Sequence, residues 1–166
     1  KRQAREQLIN EGRPCSESVP AGVMIETPSA ALIADHLSRE AAFLSIGTND
    51  LTGYIMACDR GNPAVGGLYD PLHPAVLRVL RHIIRCGSTS GTPVSVCGET
   101  AADPRLVPLY MSYGVTGFSV SAVAVPRVRK TVSLWSKVEA DSLADSVGRL
   151  NTAAEGRELL DSAQRT

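Results

Sequence analysis

A chain of 166 residues with 43% hydrophobic content is long enough to bury a sizeable core as a single domain. Lysine plus arginine equal aspartate plus glutamate at 17 each, so no global field selects nucleic acid or an anionic membrane, and any charge recognition is local. The apolar runs fall far short of the roughly 20 residues that span a bilayer, and the polar start Lys1-Arg2-Gln3-Ala4-Arg5-Glu6 has no signal-type apolar stretch behind it; the sequence reads as soluble and cytoplasmic.

In chain order, Lys1 to Glu11 is rich in helix formers and stops at Gly12, with Pro14 beyond. Val19 to Ile25 is apolar on both parities, as expected of a parallel strand covered on both faces. Pro28 breaks the strand, and Ser29 to Glu40 predicts one helix with Asp35 and Arg39 on its polar side. A second strand, Phe43 to Ile46, turns at Gly47 and leads through Leu51 to Cys58 into the loop Asp59-Arg60-Gly61-Asn62-Pro63. The glycine- and proline-marked connection from Val65 to Pro74 is unusually long.

Ala75 to Arg85 predicts a core-facing helix closed by Gly87 and Gly91, with Pro93 ahead of a third strand, Val94 to Cys97. Asp103 to Tyr113 reads as a short helix ended by Gly114, Gly117 to Ser121 as the fourth strand, and Pro126 to about Trp135 as a helix whose Arg127, Arg129 and Lys130 form a solvated face or, less commonly, an anion or partner site. The expected division is residues 1–138 as the strand-helix portion and 139–166 as surface helices or a frayed tail. Strand and helix alternate in one polarity, so the class is all-parallel α/β, either a small doubly wound sheet or half of an eight-unit barrel.

Ligands of such folds collect at the carboxyl ends of the strands. The apolar runs end there in Glu26, in Asn49 and Asp50 just after Gly47, and in Cys97 followed by Gly98 and Glu99. Two converging carboxylates are the minimum for Mg²⁺, which keeps waters and substrate oxygens in its remaining positions. Asn49 can orient a phosphate through its amide, and Arg60 offers a planar fork for phosphate or carboxylate. Each residue also has a plainer reading: Asp50 as a helix N-cap, Glu26 as a surface carboxylate, Arg60 as a turn residue. The four cysteines at 15, 58, 86 and 97 lack metal or disulfide spacing and read as reduced thiols, with only Cys97 placed for chemistry. His73 and His82 read as structural.

Gly22-Val23-Met24-Ile25-Glu26-Thr27-Pro28, Ser45-Ile46-Gly47-Thr48-Asn49-Asp50-Leu51-Thr52, Asp59-Arg60-Gly61-Asn62, Leu68-Tyr69-Asp70-Pro71 and Val96-Cys97-Gly98-Glu99 follow one another in an order and spacing that resembles the phosphoenolpyruvate-utilising enzymes. The likeness is closest to the Enzyme I family of the bacterial sugar phosphotransferase system, over roughly residues 1 to 135. It implies a (β/α)₈ barrel that binds phosphoenolpyruvate and Mg²⁺, sends the phosphoryl group to a histidine on another domain and thence to the carrier protein HPr, and releases pyruvate. By motif match, Glu26 and Asp50 would hold the metal, Asn49, Asp50 and Arg60 the substrate, and Cys97 would protonate the enolate carbon.

Gly53 stands where that family has glutamine, and Thr100 where it has leucine or methionine. On this template the chain supplies the last four βα units of the barrel, C-terminal in order, without the opposite wall and its arginines; it is expected to be incomplete and inactive alone, with a homodimer or the missing half-barrel closing an apolar interior face. The alternatives are a pyruvate phosphate dikinase or phosphoenolpyruvate synthase fragment, and a silent interaction module that keeps the site by descent.

Overall fold

Four short strands, β1 (Val23–Ile25), β2 (Leu44–Gly47), β3 (Val94–Cys97) and β4 (Gly117–Phe118), lie side by side in chain order. Every pairing is parallel, so each pair is joined by a crossover carrying helices. The structure is a computed structural model describing residues 2–165. Its α/β sheet runs β1-β2-β3-β4 without closing on itself, as expected of part of a barrel.

The register separates two faces, because alternate strand residues point opposite ways. One set of rows is Val23–Leu44–Val94 and Ile25–Ile46–Val96–Phe118. Ile25, Leu44, Ile46, Val94 and Val96 are buried beneath the helices, each contributing about 1.5–3 kcal/mol of burial. The other set is Met24–Ser45–Ser95–Gly117, topped by Gly47–Cys97. Met24 is exposed, and Ser45, Ser95, Cys97 and Gly117 are half-buried.

The expectation of strands covered on both faces is therefore corrected. So is the broad apolar interior: the large apolar side chain in these rows is Met24, and the rest are hydroxyls, a thiol and glycines. The tally of apolar residues from Val19 to Ile25 did not distinguish the faces, and only Val23–Ile25 forms strand.

Helix α1 (Arg2–Asn10) ends before Gly12, whose φ of +67° supplies the left-handed stop. The helix expected over 29–40 is two pieces, α2 (Pro28–Leu32) and α3 (Ala34–Glu40). They break at Ile33, with φ −106° and ψ 21°, so that Ala31 and Ala34 both reach the core while Leu32 and Ile33 stay exposed. Helix α4 (Thr48–Ile55) starts directly from β2.

Helix α5 (Pro74–Ser90) is longer than expected. Gly87 does not close it but packs inside it, because a Cβ there would lie 2.2 Å from Val94 Cγ2; Gly91, at φ +70°, is the true stop. The segment after β3 begins as a 3₁₀ turn, Glu99–Ala102, before α6 (Val107–Tyr113), and α7 (Val125–Ser133) follows β4.

The last segment forms α8 (Lys137–Gly148) and α9 (Ala153–Ser162), each opened by a capping box from Ser136 and Thr152. They are not confined to the surface: Leu143, Ala144, Val147 and Leu160 join the core. Arg105 ties α9 down, reaching Asp161 at 3.2 Å and Asp103 at 2.7 Å. Arg165 stacks 4.1 Å over the Trp135 ring and pairs with Glu139 at 2.8 Å.

Candidate active site

Register carries the carboxyl edge. Ile25 pairs with Ile46 and Gly47 with Cys97, so Glu26 follows β1 at the level of Gly47 and Cys97. Gly47 is bare because Glu26 needs the space: a Cβ at Gly47 would lie 2.9 Å from Glu26 Oε2 and 3.3 Å from Met24 Sδ. Met24 Sδ is in turn 3.8 Å from Cys97 Sγ. The thiol is also 3.3 Å from the Ile46 carbonyl and 3.8 Å from Ser45 Oγ. Glu26 lies against Gly47, and Cys97 is the register partner of that glycine.

Asn49 and Asp50 leave that glycine on the first turn of α4. Gly47 occupies the N-cap position and Asp50 the third helical position, so the N-cap reading of Asp50 is corrected. The side chain is exposed, and the helix N-terminus favours its charge. Asn49, Asp50 and Arg60 line a cleft of about 230 Å³ with Tyr54, Cys58, Asp59 and Tyr69. Glu26 and Cys97 are not part of that lining. A second, wider cleft of about 660 Å³ runs from Asn49 past Glu99 to Ser119, Ser121 and Arg127. Arg127 donates to the Ala102 carbonyl at 2.9 Å, a contact that reading it as part of a solvated face did not contain.

Three contacts at the edge were not legible in the sequence, although Glu99 and Tyr69 lie within its motifs. Glu99 pairs with Arg60 at 2.8 Å, and its backbone N–H donates to Asn49 Oδ1 at 3.0 Å. Tyr69 shares the lining of the smaller cleft with Asp50 and Arg60, and burial pushes its hydroxyl above the ordinary tyrosine range. Beneath the edge, Tyr110 donates to Thr100 Oγ1, Thr100 to Thr48 Oγ1, and Thr48 to the Cys97 carbonyl, each at 2.8 Å. Burial drives the Tyr110 hydroxyl far above its usual value, so it stays a donor. Thr100, which stands where the resembled family has leucine or methionine, is the middle of this buried chain. The signal that could have found it is a hydroxyl placed one residue after Cys97-Gly98-Glu99, with another at Thr48.

Among the described residues no group of three or more His, Cys, Asp and Glu side chains could hold a metal ion. All four cysteines are free thiols, none fully buried. His73 caps α5 by accepting from the Ala75 N–H at 3.2 Å, the structural use expected of it. No helix among the described residues is long and apolar enough to cross a membrane.

The parallel units and the polar groups at their carboxyl ends define an α/β domain built like part of a (β/α)₈ barrel. The chain belongs to the PEP-utilising enzymes: residues 1–136 match the family model described as "PEP-utilising enzyme, PEP-binding domain". It is similar to the phosphoenolpyruvate-protein phosphotransferase of Haemophilus influenzae, 42% identical over 155 residues that cover 93% of this chain and 27% of that protein. The protein of the same name from Bacillus subtilis is 39% identical over 151 residues, covering 91% of this chain and 26% of the relative. The chain spans about a quarter of the length of these curated relatives.

Proposed function

We propose that this domain binds phosphoenolpyruvate with Mg²⁺, and that a chain also carrying the phosphoacceptor histidine transfers the phosphoryl group to it, in the manner of Enzyme I. The observation that supports this most is the placement of Glu26 and Cys97 over one bare glycine, with Asn49 and Asp50 on the turn that leaves it.

The residues fit a divalent cation of this kind. Glu26 packs against Gly47 and Asp50 stands on the helical turn that leaves it, with no third carboxylate, histidine or cysteine joining them among the described residues, which suits an ion that keeps waters and substrate oxygens rather than a closed structural site. Glu26 and Asp50 would hold it, and it would supply neutralisation of the phosphate and enolate oxygens. Arg60 presents its guanidinium to the phosphate, and the amide of Asn49, whose oxygen is engaged by Glu99 N–H, turns its NH₂ toward the same group. In-line transfer asks of these residues positioning and charge compensation rather than covalent help.

As the P–O bond to the enol oxygen breaks and a P–N bond to the acceptor imidazole forms, the enolate carbon gains its proton from the Cys97 thiol, giving pyruvate. The half-buried thiol stands on the open face of the sheet beside Ser45 and Met24. HPr as the onward acceptor, a role in sugar uptake and a cytoplasmic location belong to the same reading and rest on the family likeness. Closure of the open sheet is assigned to the remaining barrel half or to a second copy.

Calorimetric titration of phosphoenolpyruvate tests the reading. Binding is expected only with Mg²⁺ and is expected to be lost in Glu26→Ala and in Asp50→Ala; equal binding in the absence of the cation and in both variants would refute it.

A further inference from the structure

Arg60 and Asn49 come from different parts of the chain, a loop and a helix start, yet both are held by Glu99, which belongs to the motif Val96-Cys97-Gly98-Glu99 but has no role in the mechanism above. Glu99 Oε1 accepts from Arg60 Nη1 at 2.8 Å, and Glu99 N donates to Asn49 Oδ1 at 3.0 Å. The ion pair is exposed, with half of the Arg60 side chain and three quarters of the Glu99 side chain in contact with solvent. Such a pair adds little to folding, so its use has to be sought in what it orients.

The backbone is built to deliver it. Gly98 has φ +91°, and a Cβ on it would fall 2.5 Å from Thr48 Oγ1 and 2.9 Å from Asn49 Oδ1. The close approach that seats the Glu99 N–H on the Asn49 amide is therefore open only to glycine. Thr48 fixes the same strand end from below by donating to the Cys97 carbonyl. From this turn the Glu99 side chain reaches Arg60, on the exposed loop Asp59-Arg60-Gly61-Asn62. Arg60 spends one Nη1 donor on Glu99, and a guanidinium has five N–H donors in a fixed fork, so a face remains for an incoming anion.

We propose that Glu99 is the positioning residue of the phosphate clamp: its carboxylate and its backbone N–H together set Arg60 and Asn49 in the orientation that receives the phosphate group. This rests on the phosphoenolpyruvate reading above and specifies how that site is preorganised. Glu99 does not touch the reacting atoms. Its carboxylate fixes Arg60 on the cleft wall before ligand arrives, and its N–H decides which end of the Asn49 amide faces the ligand.

The test compares two ligands that share the carboxylate and differ in the phosphate. Phosphoenolpyruvate and pyruvate are titrated, each with Mg²⁺, into wild type, Glu99→Gln and Glu99→Ala of the natural chain that contains this segment, with thermal melts alongside. Glu99→Ala is expected to weaken phosphoenolpyruvate by about tenfold, the scale of losing an orienting partner, while pyruvate and the melting temperature stay as in wild type. Glu99→Gln, which keeps a hydrogen bond to Arg60, is expected to recover part of that loss. In turnover the loss is expected in KM more than in kcat.

Unchanged or tighter phosphoenolpyruvate binding in Glu99→Ala would overturn the proposal, since Glu99 would then be idle or a competitor for Arg60. Equal weakening of both ligands with a lowered melting temperature would also overturn it, by making Glu99 a structural residue. Wild type that binds neither ligand would overturn the functional reading itself, and this proposal with it.

Discussion

The two faces of the sheet are written in the same thirteen strand residues and have opposite jobs. The rows Val23–Leu44–Val94 and Ile25–Ile46–Val96–Phe118 are apolar and sit under helices. The alternate rows carry Met24, Ser45, Ser95, Gly117, Gly47 and Cys97, and open toward the site. The first face supplies folding free energy, and the second trades it for small side chains that leave room for ligand. Stability and function are therefore separable by parity along one strand.

The largest effect that could break this separation is on the covered face. Ile46→Ala removes a fully buried side chain and is expected to cost about 2–5 kcal/mol in urea unfolding; a loss under about 1 kcal/mol would mean the covered face is not the core. At the edge, Gly98→Ala forces a Cβ to within 2.5 Å of Thr48 Oγ1 at a φ of +91°. A stability loss of about 1–3 kcal/mol is expected, together with loss of phosphoenolpyruvate binding by calorimetry, because Thr48 and Asn49 must move. Retained affinity would show the edge to be looser than its geometry.

On the open face, Ser95→Ala removes a hydroxyl that reaches the Leu44 carbonyl at only 3.3 Å. It is expected to change stability by no more than about 0.5 kcal/mol, one residue away from positions where truncation is costly. A larger loss would place structural weight on the face assigned to function.

The smallest effect lies far from both faces. Arg165 and Ser136 hold the Glu139 carboxyl at about 2, below its ordinary 4.5. A carboxyl depressed in the folded state contributes stability that is present above about 4.5 and lost as pH falls toward about 2. Melting temperatures should decline across that window, and the decline should be shallower in Glu139→Gln.

Much of this was legible in the sequence because it is local. Apolar runs ending in Glu26, Gly47-Thr48-Asn49-Asp50 and Cys97 announce parallel strands with chemistry at their carboxyl ends, and the four strands form in that order. The rest is a matter of packing. Composition could not show that Met24 faces outward from the core, that the helix after β1 breaks at Ile33, or that Gly87 is a contact surface for Val94 rather than a stop. Nor could it pair Glu99 with Arg60, 39 residues away, or chain Tyr110 to Thr48 through Thr100. Those contacts exist only after parallel pairing has brought β2 and β3 side by side.

The most direct test is a crystal structure of a natural chain containing this segment, grown with Mg²⁺ and phosphoenolpyruvate. One ion bonded at about 2.1 Å to an oxygen of Glu26 and an oxygen of Asp50, with the ligand's phosphate against Arg60 and Asn49 and its methylene carbon facing Cys97 Sγ, is the predicted result. An ion held by one or neither carboxylate, or a ligand whose methylene points away from the thiol, would contradict it.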